Sequence, residues 1–272
     1  MNQPELYERF RALHERPTGF VMPNAWDGTS ALILKAAGFE ALGTSSGALA
    51  ASLGRLDGRH AVSADEHLAH AALLGRMSDL PINGDFEDGY GGQPSDVAIT
   101  VQRAIAGGLA GIGIEDTTGD PANPIRDFDD AVERVRAAAV AAKGKIVLTG
   151  RTDNYLYGRA DLDDTIKRLC AFADVGADVL YAPFPPDMNA AIAIVKAVAP
   201  KPVNLFAVAS GRVPVAELQR AGVKRISMGV SLYAHAMSAL RDAANHLAAG
   251  DMAAATSGMR FGEIAKLIAT AR

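Results

Sequence analysis

Residues 106–115, AGGLAGIGIE, join the end of a helical pattern to a short apolar run. Glycine adopts the left-handed conformation that ends a helix without a steric penalty. The apolar run predicts a parallel β-strand covered by helices, because such strands are apolar on both faces. The same transition from helix through glycine to strand recurs at residues 36–39 (AAGF), 175–178 (VGAD) and 221–224 (AGVK).

Outward from this stretch, short strand-like runs alternate with longer helical patterns, many of which begin at Ser, Asp or Thr, the residues that cap helices well. The predicted strands are residues 20–23, 40–44, 81–85, 110–115, 145–150, 178–182, 202–206 and 224–228. The helical patterns are residues 29–38, 63–77, 95–108, 127–144, 161–176, 187–200, 214–222 and 231–250. Eight βα units in about 230 residues favour an α/β fold of the (β/α)8 TIM-barrel type over a doubly wound sheet.

No linker or low-complexity segment divides the chain, so we expect one domain over residues 1–272. Residues 250–272 form a C-terminal helical extension, with one extra helix over residues 253–271. Its apolar residues have a helical spacing, which predicts that the helix covers another surface.

The composition excludes several classes of protein. An apolar fraction of 49% and a charged fraction of 21% are those of an ordinary globular protein. A net charge of -4 without any run of Lys or Arg argues against nucleic-acid binding. The only cysteine, Cys170, rules out an internal disulfide and fits a reducing compartment. The polar start is unlike a signal peptide, and no apolar run reaches the ~18 residues of a membrane span, so a cytoplasmic protein is expected.

Active sites of (β/α)8 barrels lie at the carboxyl ends of the strands. The residues at the end of each predicted strand and directly after it are therefore the candidates for a functional site. Carboxylates, one arginine and small hydroxyl or glycine residues converge there: Asn24, Trp26, Asp27, Thr44, Ser45, Ser46, Gly47, Asp85, Glu87, Glu115, Asp116, Arg151, Asp153, Asn204 and Ser227. The sixth strand ends in Ala182-Pro183 and adds no such group.

The segment GDFEDGYGG, residues 84–92, carries three carboxylates, Asp85, Glu87 and Asp88, directly after the apolar run LPIN, residues 80–83. Oxygen ligands without His or Cys suit a hard cation, Mg²⁺ or alternatively Mn²⁺. Arg151 is suited to clamp a substrate carboxylate through two parallel hydrogen bonds. Backbone N–H groups of the loop opened by Ser45, Ser46 and Gly47 could bind an oxyanion. Together these groups meet the needs of enolate chemistry on an α-oxo acid.

Each residue taken alone has a simpler interpretation. Acidic residues after a strand are often solvated turn residues, Arg151 could pair with Asp153, and Ser45 or Ser46 could cap a helix. The convergence of three acidic strand ends on one rim favours the metal site. The six histidines are interpreted as structural or surface residues, and Cys170 as a packing residue within a helix.

Five segments, in this order, resemble the isocitrate lyase / phosphoenolpyruvate mutase superfamily from about residue 20 to residue 232. They are PNAWDGTSALILKAAGFEALGTSSGALAASLGRLDG, PINGDFEDGYG, AGIGIED, TGRTD and KPVNLFA. The resemblance implies a (β/α)8 barrel that uses Mg²⁺ to stabilise an enolate. It also implies a homodimer or homotetramer in which a C-terminal helix is exchanged between neighbours.

Carried over residue by residue, the resemblance makes Asp85 the direct metal ligand. Asp57, Glu87 and Glu115 would hold metal-bound waters. Ser45, Ser46, Gly47, Arg151 and Asn204 would bind the small carboxylate substrate. Arg151, Glu115 and Asp57 are accordingly the candidate catalytic residues.

The chain departs from the family where isocitrate and methylisocitrate lyases carry a loop with the catalytic cysteine. The corresponding residues 117–128, TTGDPANPIRDF, contain no Cys, His or Lys, although Asn123 is a loose match to the mutase asparagine. Gly43 and Pro183 replace further family residues. The sequence therefore predicts a Mg²⁺-dependent lyase that cleaves a C–C bond in an oxaloacetate-like α-oxo acid. The alternatives are a phosphonopyruvate or phosphoenolpyruvate C–P mutase or hydrolase, and a non-catalytic α-oxo acid binding protein.

Overall fold

A computed structural model of the protein describes residues 1–58 and 60–270. Its strands are β1 (Phe20–Met22), β2 (Leu42–Gly43), β3 (Ile82–Asp85), β4 (Gly111–Glu115), β5 (Val147–Arg151), β6 (Val179–Tyr181), β7 (Val203–Leu205) and β8 (Arg225–Ser227). Strands β2 to β8 pair in parallel, each with its sequence neighbours, and β1 pairs in parallel with β8. A parallel bridge between Asn24 and Gly43 joins the β1 and β2 edges. The predicted (β/α)8 barrel is confirmed.

Each predicted helical pattern forms a helix on the outside of the barrel. The helices are α1 (Gln3–Glu15), α2 (Gly28–Ala36), α3 (Ser46–Ser52), α4 (Ala64–Ser78), α5 (Pro94–Ala106), α6 (Phe128–Ala142), α7 (Leu162–Asp174), α8 (Met188–Ala197), α9 (Val215–Arg220), α10 (Ser231–Ala248), α11 (Met252–Ala255) and α12 (Phe261–Ala269). Side chains of Asp27, Ser63, Asp161 and Asp187 accept the backbone N–H groups that begin four of them.

Helix α1 was not predicted, and it closes the end of the barrel opposite the strands' carboxyl ends. A capping box between Asn2 and Glu5 begins it. Its buried face, Leu6, Phe10 and Leu13, packs against residues at the starts of several strands: Phe20, Ala41, Ala110, Val147 and Val179. This packing leaves the carboxyl ends of the strands as the open face of the barrel.

The C-terminal extension differs from its prediction. The single helix expected over residues 253–271 is divided into α11 and α12 by residues 256–260, which contain the helix-disfavouring pair Ser257-Gly258. Residues 271 and 272 lie outside the described residues. Helix α12 lies against α2 of the same chain. None of the residues of α10 is buried. Within the described residues, no helix is both long and apolar enough to cross a membrane.

Truncation after residue 250 tests whether this extension supports an oligomer. We expect the truncated chain to form a smaller or aggregating species, because it loses the apolar residues Met259, Phe261 and Ile268, which are 53%, 80% and 37% exposed in the single chain. Sedimentation velocity measures the outcome. A full-length chain that sediments as a monomer would contradict the exchange of a helix between neighbours.

Candidate active site

Asp85 ends β3 at the open face of the barrel, and Ser46 holds one of its oxygens. Asp85 Oδ2 accepts the Ser46 backbone N–H at 2.9 Å and the Ser46 hydroxyl at 3.0 Å. The same hydroxyl lies 3.4 Å from Asp57 Oδ2. Ser46 therefore brings together two carboxylates from segments that are separated by nearly thirty residues, about the length of one βα unit.

Arg151 ends β5 and faces carboxylates on two sides. Its Nε and Nη2 donate to the two oxygens of Asp153 at 2.6 and 2.8 Å. Its Nη1 lies 3.1 Å from Glu115 Oε2 and 3.5 Å from Asp85 Oδ1. The pairing with Asp153, raised from sequence as an alternative, is present. Asp153 occupies the edge of the guanidinium formed by Nε and Nη2, so Nη1 is the nitrogen that remains directed at the acidic cluster. A substrate contact of Arg151 would be made through Nη1.

Glu87 is buried beside the cluster, and the polar groups around its carboxylate lie at long hydrogen-bonding distances or beyond. Its carboxylate lies 3.4 Å from the Tyr90 hydroxyl, 3.3 Å from the His60 backbone N–H and 3.8 Å from His67 Nε2. Burial raises the pKa of Glu87 to about 7, although the His60 backbone N–H favours the charged form, and the charges of Asp57 and Asp85 raise it further. His60 and His67 were interpreted as structural, and both line this carboxylate.

The pKa values of Asp57 and Glu115 are also raised, in both cases mainly by burial. The charge of Asp85 adds to this effect at Asp57, whereas at Glu115 the nearby Arg151 opposes it. The cluster contains more carboxylates than cationic groups. A divalent cation would neutralise this excess of negative charge.

The arrangement fits a magnesium ion held mainly through water. Within residues 1–58 and 60–270, no three His, Cys, Asp or Glu side chains converge closely enough to ligate an ion together. Mg²⁺ usually binds proteins through one or two carboxylates and keeps several waters. Asp85 as the single direct ligand, with Asp57, Glu87 and Glu115 holding waters, is compatible with this geometry.

Three adjoining cavities surround the acidic cluster. The first, of about 290 Å³, is lined by Ser46, Asp57, Gly58, Glu87, Glu115, Arg151, Asp153, Leu156 and Tyr157. The second, of about 210 Å³, lies under the loop after β4 and includes Thr117, Gly119, Asp120, Pro121 and Pro124. The third, of about 60 Å³, lies deeper in the barrel and includes Asp85, Arg151, Tyr181, Asn204, Arg225 and Ser227.

Ser45, Ser46 and Gly47 begin helix α3 rather than the predicted loop. The Ser45 hydroxyl accepts the Ala48 N–H at 3.3 Å, so Ser45 is the N-cap that the sequence left as an alternative. A Cβ at Gly47 would lie 3.0 Å from Asp57 Oδ2, so glycine permits the close approach of Asp57. The Ser46 N–H already donates to Asp85, which leaves the Gly47 N–H as the better candidate for an oxyanion.

Several predicted strand-end residues make structural contacts rather than contacts with the acidic cluster. Asn24 lines the deep cavity, but its amide donates to the Thr44 carbonyl and its oxygen accepts two N–H groups after β8, so its polar atoms tie loops together. Asp27 caps α2, and Asp116 is buried against Thr152 and Arg168. A Cβ at Gly43 would lie 2.7 Å from Asn24 Nδ2, which explains why no larger residue stands there.

The prediction that the sixth strand adds nothing to the site was wrong. Its last residue, Tyr181, lines the deep cavity, and its ring centre lies 5.4 Å from the Arg151 guanidinium carbon. Burial raises the pKa of Tyr181 to about 12. The alternation of side chains along a strand could have revealed it, since Tyr181 lies two residues after the buried Val179. Tyr157, also missed, lies six residues beyond β5 in a loop without a recognisable pattern.

The loop after β4 offers no replacement for the missing cysteine. Asn123 is exposed to solvent. Arg126 turns away from the cluster and pairs with Asp88 at 2.6 Å and Asp130 at 2.9 Å. A bridge between Thr117 and Ile125 closes the base of the loop. The segment therefore contributes two prolines and one carboxylate, Asp120, to the cavity wall, but no Cys, His or Lys.

A parallel (β/α)8 barrel with a buried acidic cluster and one facing arginine at its open end has the architecture of a barrel enzyme. The family model of phosphoenolpyruvate phosphomutase matches residues 10–248. The chain belongs to the phosphoenolpyruvate mutase / isocitrate lyase superfamily, whose members are C–C lyases or C–P mutases and generally depend on Mg²⁺.

Three relatives illustrate the range within the superfamily. A solved structure from Burkholderia cenocepacia J2315, described no more closely than as a lyase/mutase, is 41% identical with a TM-score of 0.93 and covers 98% of this chain and 96% of its own. The oxaloacetate decarboxylase of Paraburkholderia xenovorans is 31% identical over 90% of this chain and 83% of its own. The 2-methylisocitrate lyase of Bacillus subtilis is 31% identical over 66% of this chain and 60% of its own.

Proposed function

We propose that the protein is a Mg²⁺-dependent lyase that removes CO₂ from a small, oxaloacetate-like α-oxo acid through an enolate. One observation carries this proposal. The acidic cluster and Arg151 are present, whereas residues 117–127 contain no Cys, His or Lys to protonate a large carbanion leaving group. The carboxylate that this segment places on the cavity wall, Asp120, accepts the Ala122 backbone N–H at 2.9 Å. Loss of CO₂ requires no such acid. The similarity to an oxaloacetate decarboxylase over most of both chains supports the same reaction.

In this proposal, Mg²⁺ would supply the electron sink. Asp85 would hold the ion, while Asp57, Glu87 and Glu115 would hold its waters. The Nη1 of Arg151 and the Gly47 N–H would stabilise negative charge on the substrate oxygens. The bond between C3 and C4 breaks, its electron pair enters the enolate and CO₂ leaves. A proton from water at C3 then completes the oxo acid product.

A second candidate is C–P chemistry on phosphonopyruvate or phosphoenolpyruvate, as a mutase or a hydrolase. The family model that matches the chain supports it. A third candidate is a binding protein without turnover. Product analysis with Mg²⁺ separates the three, because oxaloacetate would yield CO₂, phosphonopyruvate would yield a rearranged ester or phosphate, and a binder would show a thermal shift alone.

We expect negligible release of glyoxylate from isocitrate or of pyruvate from methylisocitrate, because a positioned acid contributes about 10²–10⁴-fold to such cleavages. Cys170 cannot supply it, since it lies on α7 outside the barrel with its thiol 3.6 Å from the Ala197 carbonyl. Cys170→Ser should therefore leave oxaloacetate decarboxylation unchanged. Robust turnover of isocitrate or methylisocitrate would contradict the proposal that CO₂ is the leaving group.

A further inference from the structure

Among residues 1–58 and 60–270, one arginine inside the barrel has no acidic partner. Arg225, on β8, is 1% exposed. Its guanidinium donates to Thr149 Oγ1 at 2.8 Å and Asn204 Oδ1 at 3.1 Å, and it lies 3.4 Å from both Asn83 Oδ1 and His14 Nε2. The side chains of Thr149, Asn204 and Asn83 carry no charge. His14 is neutral as well, because burial lowers its pKa to about 3. In the described part of the chain, none of these contacts is a carboxylate.

Other buried arginines of this protein are neutralised. Arg134 lies 3.4 Å from an oxygen of Asp88. Arg168 lies 3.2 Å from Asp116 and 2.8 Å from Asp164. Burying a charge without a counter-charge is costly, and burial lowers the pKa of Arg225 to about 9 as a result. An anion beside Arg225 would remove this cost.

The structure provides a place for such an anion. Arg225 lines the deep cavity of about 60 Å³, together with Asn204, Ser227 and Thr149. Asp85 and Arg151 line the same cavity, so it is continuous with the acidic cluster. Asn204 Oδ1 accepts from Arg225, and its amide Nδ2 donates to Ser227 Oγ at 3.0 Å. The cavity wall therefore combines a cation, an amide donor and hydroxyl groups, which is the chemistry that binds a carboxylate.

We infer that Arg225 and Asn204 form a carboxylate subsite that binds the end of the substrate that is retained in the product. The assignment of the anion to the substrate rests on the proposed function. A cation against the leaving carboxylate would stabilise the ground state and oppose loss of CO₂. The leaving end would therefore point the other way, toward the two outer cavities, whose walls carry Pro121, Pro124 and Leu156 beside the carboxylates of the cluster.

Calorimetry with oxalate, in MgCl₂ and separately in EDTA, tests the subsite without requiring turnover. Arg225→Gln should raise the Kd for oxalate at least about 10-fold, and Arg225→Lys should recover part of the loss. His14→Leu is the matched control, because it removes a neutral contact of the Arg225 Nη1 and keeps the charge of the arginine. Equal Kd values for wild type and Arg225→Gln, or an equal loss in His14→Leu, would overturn the inference.

Asn204→Asp provides a second test if Arg225→Gln does not fold. The substitution keeps the shape of the side chain and places a carboxylate 3.1 Å from Arg225 Nε. We expect the Tm to rise while oxalate binding is lost, because the internal carboxylate replaces the ligand. A higher Tm with unchanged oxalate affinity would show that Arg225 is only structural. Loss of oxalate binding in a protein that decarboxylates no oxo acid would preserve the subsite and refute the proposed function.

Discussion

Asp85→Ala is expected to abolish both the Mg²⁺-dependent rise in Tm and the turnover of oxaloacetate. Its Oδ2 is positioned by two donors from Ser46, and its Oδ1 faces Arg151, so the side chain is fixed at the centre of the cluster. Loss of the proposed direct ligand would remove several kcal/mol of charge stabilisation, which corresponds to at least about 10³-fold in kcat/KM. Thermal shift against MgCl₂ and steady-state kinetics measure the two effects.

Glu87→Gln is the matched comparison for this result. Glu87 would bind the ion through water, and an amide oxygen can still hold a water, so a loss of about 10–100-fold in metal affinity is expected. Circular dichroism establishes that both variants fold. Equal losses in Asp85→Ala and Glu87→Gln, or none in either, would contradict the assignment of the direct ligand.

Arg151→Lys is expected to lower kcat/KM by about 10²–10³-fold while the chain remains folded. The guanidinium bonds Asp153 through Nε and Nη2 and directs Nη1 at Asp85 and Glu115. An ammonium group is a single point charge and cannot meet both sides at once. The introduced lysine side chain should therefore pair with Asp153, which leaves the cavity without its cation. Steady-state kinetics and oxalate calorimetry measure the loss.

Arg159→Lys serves as the control for Arg151→Lys. Arg159 lies eight residues further along the chain, is 46% exposed at its side chain and approaches Asp164 only at 3.7 Å. An exposed ion pair contributes little, so this variant should behave as wild type. Wild-type kinetics in Arg151→Lys would instead make Arg151 a structural partner of Asp153 alone.

The barrel and the outline of its site could be predicted from sequence, because both depend on local patterns. Helix caps, glycine at helix ends and apolar runs are set by neighbours in the chain, so every predicted strand formed. The carboxyl ends of parallel strands must meet at one face, and this rule alone brought Asp85, Glu115 and Arg151 together. Asp57 required the family resemblance, because it lies in a loop with no periodic signal.

Only the tertiary structure determined which atoms of these residues face one another. Asp153, two residues from Arg151, takes one edge of its guanidinium, and this choice depends on side-chain torsions that a residue pattern does not encode. Arg225 looks like an ordinary residue of a short strand, and in the part of the chain that the structure describes its guanidinium meets His14, Asn83 and Thr149 of other elements rather than a carboxylate. Charge balance in a buried site is a sum over distances between segments far apart in sequence, so it exists only once the chain has folded.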